Sequence, residues 1–132
     1  MAFQFGAALA AFLAASGGPV TTAPQAPAAQ QIVVPLIEPA ALKALMNSPV
    51  RFVLVDVRQP EEFAQGHIDG ATLMPLDNLP ATYATLPKNV KLVVYCRSGH
   101  RSAKAVSFLQ AHGYDRAVSL NGGYLAWTAQ VK

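Results

Sequence analysis

Short apolar runs alternate with helix-like stretches along the chain from residue 31 onward. Five apolar runs predict strands, at 32–34, 51–57, 71–75, 91–96 and 116–120. Helices are predicted between them, at 38–46, 59–66, 102–113 and 122–130, with broken helical turns within 76–87. Because alternating strands and helices require crossover connections, the pattern predicts an α/β fold. We expect a mainly parallel sheet of about five strands with helices on both faces.

The first 31 residues differ in composition from the rest of the chain. The apolar run from Phe3 to Ala15 has no charged side chain and is 13 residues long. A membrane span needs about 20 residues, so the run is more typical of a signal peptide. A stretch rich in Pro, Ala, Thr and Gln follows at 19–31 and predicts a linker.

We therefore expect residues 1–31 to be an export segment with a linker, and residues 32–132 to be one folded domain. This predicts a periplasmic or otherwise exported protein. No Lys or Arg precedes the apolar run, which leaves a cytoplasmic protein, or a membrane tether through an uncleaved segment, as alternatives.

Composition excludes several classes of protein. Hydrophobic residues make up 52% of the 132 residues, too many for a disordered chain. The net charge is only +3 and the basic residues form no run, so nucleic acid is not expected as a partner. The chain has no Cys/His spacing of the kind that binds metal, and its single cysteine cannot form an internal disulfide.

That cysteine, Cys96, ends the strand at 91–96 and begins a polar loop that runs into a helix. Ligands of open α/β sheets bind beyond the carboxyl ends of the strands. The amides of residues 97–101 can curl around one point there, at a helix N-terminus. Since Arg97 and Arg101 add positive charge, we expect the pKa of Cys96 to fall below the value of about 8.5 for a free thiol. The pattern predicts a catalytic, nucleophilic Cys96.

The loop residues after Cys96 are predicted to bind the substrate: Arg97, Ser98, Gly99, His100 and Arg101. Gly99 would permit a backbone angle that other residues resist. His100 would donate a proton, contact the ligand or simply face water. Ser98 and Ser102 could instead cap the helix, which is the role we expect of Ser102.

Four polar residues nearer the N-terminus are predicted to be structural: Asp56, Arg58, Glu62 and His67. We expect them to form a hydrogen-bonded network that fastens the 56–70 segment, with orientation of the loop by Asp56 as the alternative. The aromatic residues Phe63, Tyr124 and Trp127 are expected to lie in the core rather than to contact substrate.

Three regions of the sequence resemble the signatures of single-domain rhodaneses. LVDVR (54–58), with EEF (61–63) and GHIDGA (66–71), is similar to the first signature region of that family. YCRSGHRS (95–102) resembles its active-site loop, and LNGGYLAW (120–127) resembles its closing signature. The resemblance covers about residues 36–131. One departure is Asp69, where the family often has Pro.

The resemblance implies a sulfurtransferase that works through a persulfide. Cys96 would attack the outer sulfur of thiosulfate or a similar donor, sulfite would leave, and cyanide or a small thiol would take the sulfur. It implies no metal or organic cofactor. Without a second cysteine, the acceptor must come from outside the chain. The expected partners are therefore small molecules, with membrane contact only through the N-terminal segment, and we expect a monomer or weak dimer.

Two alternatives to this function remain. A Cys-dependent phosphatase or arsenate reductase of a related type would have five residues between the cysteine and the arginine of the loop, whereas four separate Cys96 from Arg101. A tetrahedral oxyanion needs a wider ring of amides than one sulfur atom does. The second alternative is a rhodanese-like module that binds a protein or senses redox state. Degenerate modules of that kind usually lose the cysteine, which is retained here.

Overall fold

Five parallel strands form one sheet within residues 33–131, the part of the chain that the computed structural model describes. The strands are β1 (Leu36–Ile37), β2 (Phe52–Asp56), β3 (Thr72–Leu73), β4 (Lys91–Tyr95) and β5 (Ala117–Leu120). Their order across the sheet is β1-β5-β4-β2-β3, and every neighbouring pair is parallel. The predicted α/β fold is confirmed. The export segment and linker predicted at 1–31 lie outside the described residues.

The helices lie close to their predicted positions. They are α1 (Pro39–Met46), α2 (Pro60–Gln65), α3 (Leu79–Thr82), α4 (His100–Ala111) and α5 (Gly123–Gln130). Proline stands in the first turn of α1 and α2, where its missing N–H costs nothing. The predicted broken turns are α3 and the 3₁₀ turns on either side of it. Within residues 33–131, none of these helices has the length and apolar character needed to span a bilayer.

The first strand was predicted at the wrong place. Residues 33–35 are not in a strand, Val33 is 82% exposed, and the strand is formed by residues 36–37 instead. The carbonyl of Pro35 accepts a hydrogen bond of 2.9 Å from the amide of Ser119. Because β1 is at the edge of the sheet, Pro35 can border it without leaving a partner unsatisfied. The apolar run thus predicted a strand in this region but not the residues that form it.

The central strand β4 separates two hydrophobic clusters. Leu92, Val94 and Cys96 face the α4 side, where they pack with Val106 and Leu109. The alternate residues Val93 and Tyr95 face the other side, toward α1 and α5, and pack with Leu42 in a second cluster. Neighbouring residues of a strand point to opposite faces. The side chain of Cys96 therefore lies on the α4 side, and the residues on either side of it in sequence face α5.

Helix α5 is joined to the end of β4 through its first turn. The amide of Tyr124 donates to the carbonyl of Cys96 over 2.7 Å, and that of Leu125 donates to the carbonyl of Arg97 over 3.0 Å. Gly123, with φ +63°, makes this approach possible, because a Cβ there would lie 2.6 Å from the backbone of Cys96 and Arg97. Gly123 of the closing signature therefore allows α5 to hold the Cys96 backbone in place.

We predict that Gly123→Ala destabilises the protein more than Gly70→Ala. Gly70 has a φ of +88°, but no atom lies within 4 Å of an added Cβ. Alanine at Gly70 should cost only the strain of a left-handed backbone, about 1–2 kcal/mol. Alanine at Gly123 has the same strain and must also displace the Cys96 backbone. Urea unfolding of the two variants measures the difference, and equal losses would contradict the role assigned to Gly123.

Candidate active site

Cys96 lies directly after β4, and its side chain has no exposed surface. The chain turns back after it so that the amide of Gly99 donates to Sγ over 3.0 Å and the amide of Ser102 over 3.4 Å. Gly99 adopts φ +115°, which glycine favours and other residues resist. It immediately precedes α4. The sulfur therefore lies at the start of a helix and accepts hydrogen bonds from the backbone around it, as the predicted amide nest requires.

Ser102 has a different position from the one predicted. Gly99 precedes the first residue of α4, and Ser102 lies within the first turn of the helix, fully buried, so it is not the cap. Its hydroxyl oxygen is 3.6 Å from Sγ of Cys96, 2.7 Å from the hydroxyl oxygen of Ser119 and 3.2 Å from the carbonyl oxygen of Gly99. Its single hydrogen can be donated to the sulfur when the thiolate forms. Ser102 is thus a direct neighbour of the thiol.

Ser119 was missed in the sequence. It lies on β5, is 1% exposed, and forms a hydrogen bond with the hydroxyl of Ser102. A serine inside the buried apolar strand AVSL (117–120) is the signal that could have identified it, because a buried hydroxyl requires a partner. Ser119, Ser102 and Cys96 form a short polar chain between the sheet and the sulfur.

The pKa of Cys96 is lowered. Burial opposes a charge on the sulfur, but the amide and hydroxyl of Ser102 and the amides of Gly99 and Ser98 outweigh that penalty. The direction agrees with the expectation from the sequence, and the cause differs in part. Hydrogen bonds to the sulfur, rather than the charges of the two loop arginines, are the main stabilising interactions of the thiolate.

Arg101 does not face the sulfur as a free charge. Its guanidinium forms a bidentate ion pair with Glu62, with N–O distances of 2.8 and 3.0 Å. The hydrogen bonds from Arg101 lower the pKa of Glu62 to about 2. The same carboxylate accepts the amide of Gln59 at the start of α2. The pair therefore fastens α2 to the first turn of α4, next to the loop.

Asp56 and Arg58 form a second ion pair at the end of β2 and, unlike the first, it is buried. Nε and Nη2 of Arg58 both donate to the carboxylate of Asp56, the shortest distance being 2.7 Å. Nη2 also donates to the carbonyl of Gly66 over 2.7 Å. Burial opposes the charge on Arg58, yet the hydrogen bonds with Asp56 leave its pKa raised. This pair fixes the turn after α2 against the sheet.

The four residues predicted as one network are therefore divided among three contacts. Asp56 binds Arg58, Glu62 binds Arg101, and Nδ1 of His67 lies 2.9 Å from the carbonyl of Phe63. Sequence proximity suggested a single network, but the helical turn of α2 directs Glu62 away from the first pair and toward α4. The 56–70 segment is still fastened, by separate contacts.

The remaining predicted residues lie at the surface of the site. Arg97, Ser98 and His100 are exposed around the loop. The aromatic residues Phe63, Tyr124 and Trp127 are half-buried. Tyr124 and Trp127 pack against the second hydrophobic cluster, as expected of core residues, and Tyr124 also lines a cavity. Phe63 stacks on His67. Among residues 33–131, no cluster of three His, Cys, Asp or Glu side chains could hold a metal ion.

Comparison with known proteins agrees with this geometry. The rhodanese-like domain family matches residues 38–130. A sulfurtransferase of Allochromatium vinosum is 44% identical over 75 residues, which are 57% of this chain and 70% of the relative. A thiosulfate sulfurtransferase (GlpE) of Stutzerimonas stutzeri is 35% identical over 91 residues, 69% of this chain and 82% of the relative. A longer relative, a probable adenylyltransferase/sulfurtransferase of Mycobacterium tuberculosis, is 39% identical, and the match covers 80% of this chain but only 27% of that protein.

A solved structure shows the same family likeness. The crystal structure of a rhodanese-like domain protein from Staphylococcus aureus is 37% identical, with a TM-score of 0.68, over 71% of this chain and 91% of that one. The chain therefore belongs to the rhodanese-like family, which confirms the resemblance found in its motifs. The relatives named as sulfurtransferases support a sulfurtransferase enzyme.

Replacing Ser102 by alanine should raise the pKa of Cys96, because one hydrogen bond to the thiolate is lost. Ser119→Ala should raise it less, since Ser119 acts only through Ser102. The measurement is the pH dependence of alkylation by iodoacetamide. Ser107→Ala, a half-buried serine elsewhere on α4, is the matched control and should leave the midpoint unchanged. A midpoint unchanged in Ser102→Ala would contradict the assigned contact.

The ion pair between Glu62 and Arg101 should add stability in a defined pH range. The pKa of Glu62 is depressed from 4.5 to about 2, so its contribution is fully present above pH 4.5 and is lost as the pH falls toward 2. We expect Glu62→Gln to lower the free energy of unfolding near neutral pH, with a difference from the wild type that shrinks on acidification. Glu61→Gln, an exposed neighbour, is the control. A pH-independent difference would argue against the ion pair.

Proposed function

We propose that this protein transfers a sulfane sulfur from thiosulfate, or a similar anionic donor, to a thiophilic acceptor through a persulfide on Cys96. The observation that carries the proposal is the environment of Sγ. Backbone amides and a buried hydroxyl surround it and lower its pKa, which favours the nucleophilic thiolate over the thiol. The name of the Stutzerimonas stutzeri relative supports thiosulfate as the donor to test first.

The first half of the reaction loads the cysteine. The thiolate of Cys96 attacks the outer sulfur of thiosulfate, the sulfur–sulfur bond of the donor breaks, and sulfite leaves with the electron pair. The product is Cys96 bearing one additional sulfur. The amides that hold the thiolate are placed to stabilise the persulfide anion in the same way.

The second half returns the enzyme to its starting state. An acceptor such as cyanide attacks the terminal sulfur, the bond between that sulfur and Sγ breaks, and the electron pair returns to Cys96 as a thiolate. With cyanide the product is thiocyanate. Because donor and acceptor use the same thiol in turn, the kinetics should be ping-pong.

The arrangement favours sulfur transfer over phosphate ester hydrolysis. A phosphatase of the related type would use the arginine that closes its loop to bind the oxyanion. Here Arg101 is held by both oxygens of Glu62, and only four residues separate it from Cys96. Moving Arg101 toward an oxyanion would break that ion pair.

The proposal predicts that the full chain gains the mass of one sulfur atom when treated with thiosulfate, and loses it when cyanide is added. Cys96→Ser should gain no mass and release no thiocyanate above background, a loss of at least about a thousandfold, as for removal of a nucleophile. Intact-protein mass spectrometry and a thiocyanate assay provide the measurements. Ser107→Ala serves as the folded control.

Cys96→Ser that still produced thiocyanate at the wild-type rate would disprove the mechanism. Hydrolysis of an aryl phosphate by the wild type, faster than its sulfur transfer, would instead favour the phosphatase alternative.

A further inference from the structure

A polar cavity of about 240 Å³ lies beside the Cys96 loop, where the first turn of α5 meets the turn after α2. Its walls include Arg58, Glu62, Gln65, Gly66, Arg97 and Tyr124. Most of these side chains are hydrogen-bond donors, and the mechanism described above uses none of them directly. The cavity is therefore a candidate binding site of its own.

Arg58 lines this cavity and has one donor group, Nη1, without a partner among the described residues. The residue is 3% exposed, and Asp56 and the carbonyl of Gly66 occupy Nε and Nη2. Nη1 has no acceptor among the residues that the structure describes. A guanidinium is planar, so Nη1 lies away from the edge that binds Asp56. A buried N–H group without a partner is costly, which points to a ligand that accepts from it.

The charge balance around the cavity favours an anion. Asp56 offsets Arg58, and Arg101 offsets Glu62, whereas Arg97 forms no ion pair within residues 33–131. One positive charge is left over. The ring of Tyr124 is fixed beneath Arg58, 4.5 Å from the guanidinium carbon. Its hydroxyl has no hydrogen-bond partner in the described part of the chain. These donors fit the oxygens of a single carboxylate.

The position of the cavity relative to Sγ indicates which substrate it serves. Cys96 does not line the cavity. Its side chain packs on the α4 side of β4, whereas Tyr124, which lines the cavity, packs on the α5 side. In thiosulfate, the charged sulfonate is bonded directly to the sulfur that is transferred, so both must bind at the loop itself. A charged group bound in this cavity, which Cys96 does not line, belongs to a longer molecule. The thiol acceptor can be such a molecule.

We propose that this cavity binds the carboxylate of a small thiol acceptor, an inference that rests on the proposed sulfur transfer. The acceptor thiolate attacks the terminal sulfur of the Cys96 persulfide, and the bond from that sulfur to Sγ breaks. The acceptor leaves as its own persulfide, and the electron pair stays on Cys96. The contacts of Arg97 and Arg58 with the carboxylate position the acceptor during this step.

The test compares two acceptors on enzyme loaded with thiosulfate. One is 3-mercaptopropionate, which carries a carboxylate, and the other is 2-mercaptoethanol, which is neutral. We expect Arg97→Gln to raise KM roughly tenfold for 3-mercaptopropionate, the effect of losing about one charge-assisted hydrogen bond. KM for 2-mercaptoethanol should not change. For each thiol, the KM of the variant is divided by the KM of the wild type. The intrinsic reactivity of the thiol therefore cancels.

Two further variants make the result specific. Arg97→Lys retains the charge and should restore part of the affinity for 3-mercaptopropionate. Arg51→Gln removes an exposed arginine just before β2, at the amino end of the strands and so opposite to Cys96, and should have no effect. An increase in KM for thiosulfate alone would show that Arg97 serves the donor, and an equal increase for both thiols would show a general effect. Either result overturns the proposal.

A binding experiment separates this proposal from the proposed function. The full chain with Cys96→Ser cannot form a persulfide, so binding is measured without turnover. We expect 3-(methylthio)propionate to shift the NMR resonances of the Gly66 and Tyr124 amides, and Arg97→Gln to abolish the shift. Absence of a shift overturns the carboxylate site even if sulfur transfer is observed. A persulfide that never forms in the wild type overturns the function instead.

Discussion

The site depends on the hydrogen bonds that backbone amides donate to a buried sulfur atom. Cys96 has no exposed surface, and burial by itself would favour the neutral thiol. The amides of Gly99 and Ser102 reverse that preference because the backbone turns back on itself immediately after β4. Fixed amides require no reorganisation when a charge forms on the sulfur. The strand, the loop and α4 thus position the amides of Gly99 and Ser102 so that they donate to the sulfur.

That loop is held from both sides. On the α5 side, the amides of Tyr124 and Leu125 bind the carbonyls of Cys96 and Arg97, and Gly123 leaves the space for this contact. On the α2 side, Glu62 holds Arg101 in the first turn of α4. The carbonyls of the loop point outward to these partners, which leaves its amides to face the sulfur. The charged pair thus acts through position rather than by lowering the thiol pKa directly.

The two arginines of the loop consequently differ in role, although the sequence presents them alike. Arg101 is neutralised within the fold by Glu62, and Arg97 retains its charge at the mouth of a cavity. A protein that had to bind only one compact anion would need only the loop. The additional donors that line this cavity, including Arg58 and Tyr124, form a second group of polar side chains beside the loop. A longer substrate would use both regions.

Much of this protein was determined by the sequence itself. Apolar runs at 51–57 and 91–96 can only be buried strands, and alternation with helices requires a parallel sheet, because these are local properties of residue type and spacing. Cys96 followed by a polar loop and a helix start likewise predicted the amides that surround the sulfur. Tertiary structure decided what depends on contacts between distant segments. It paired Glu62 with Arg101 rather than with Arg58, placed Ser119 beneath Ser102, and moved β1 to the residues that β5 could bind. Such choices depend on which side chains the folded sheet brings within hydrogen-bond distance, and spacing along the chain carries no information on that.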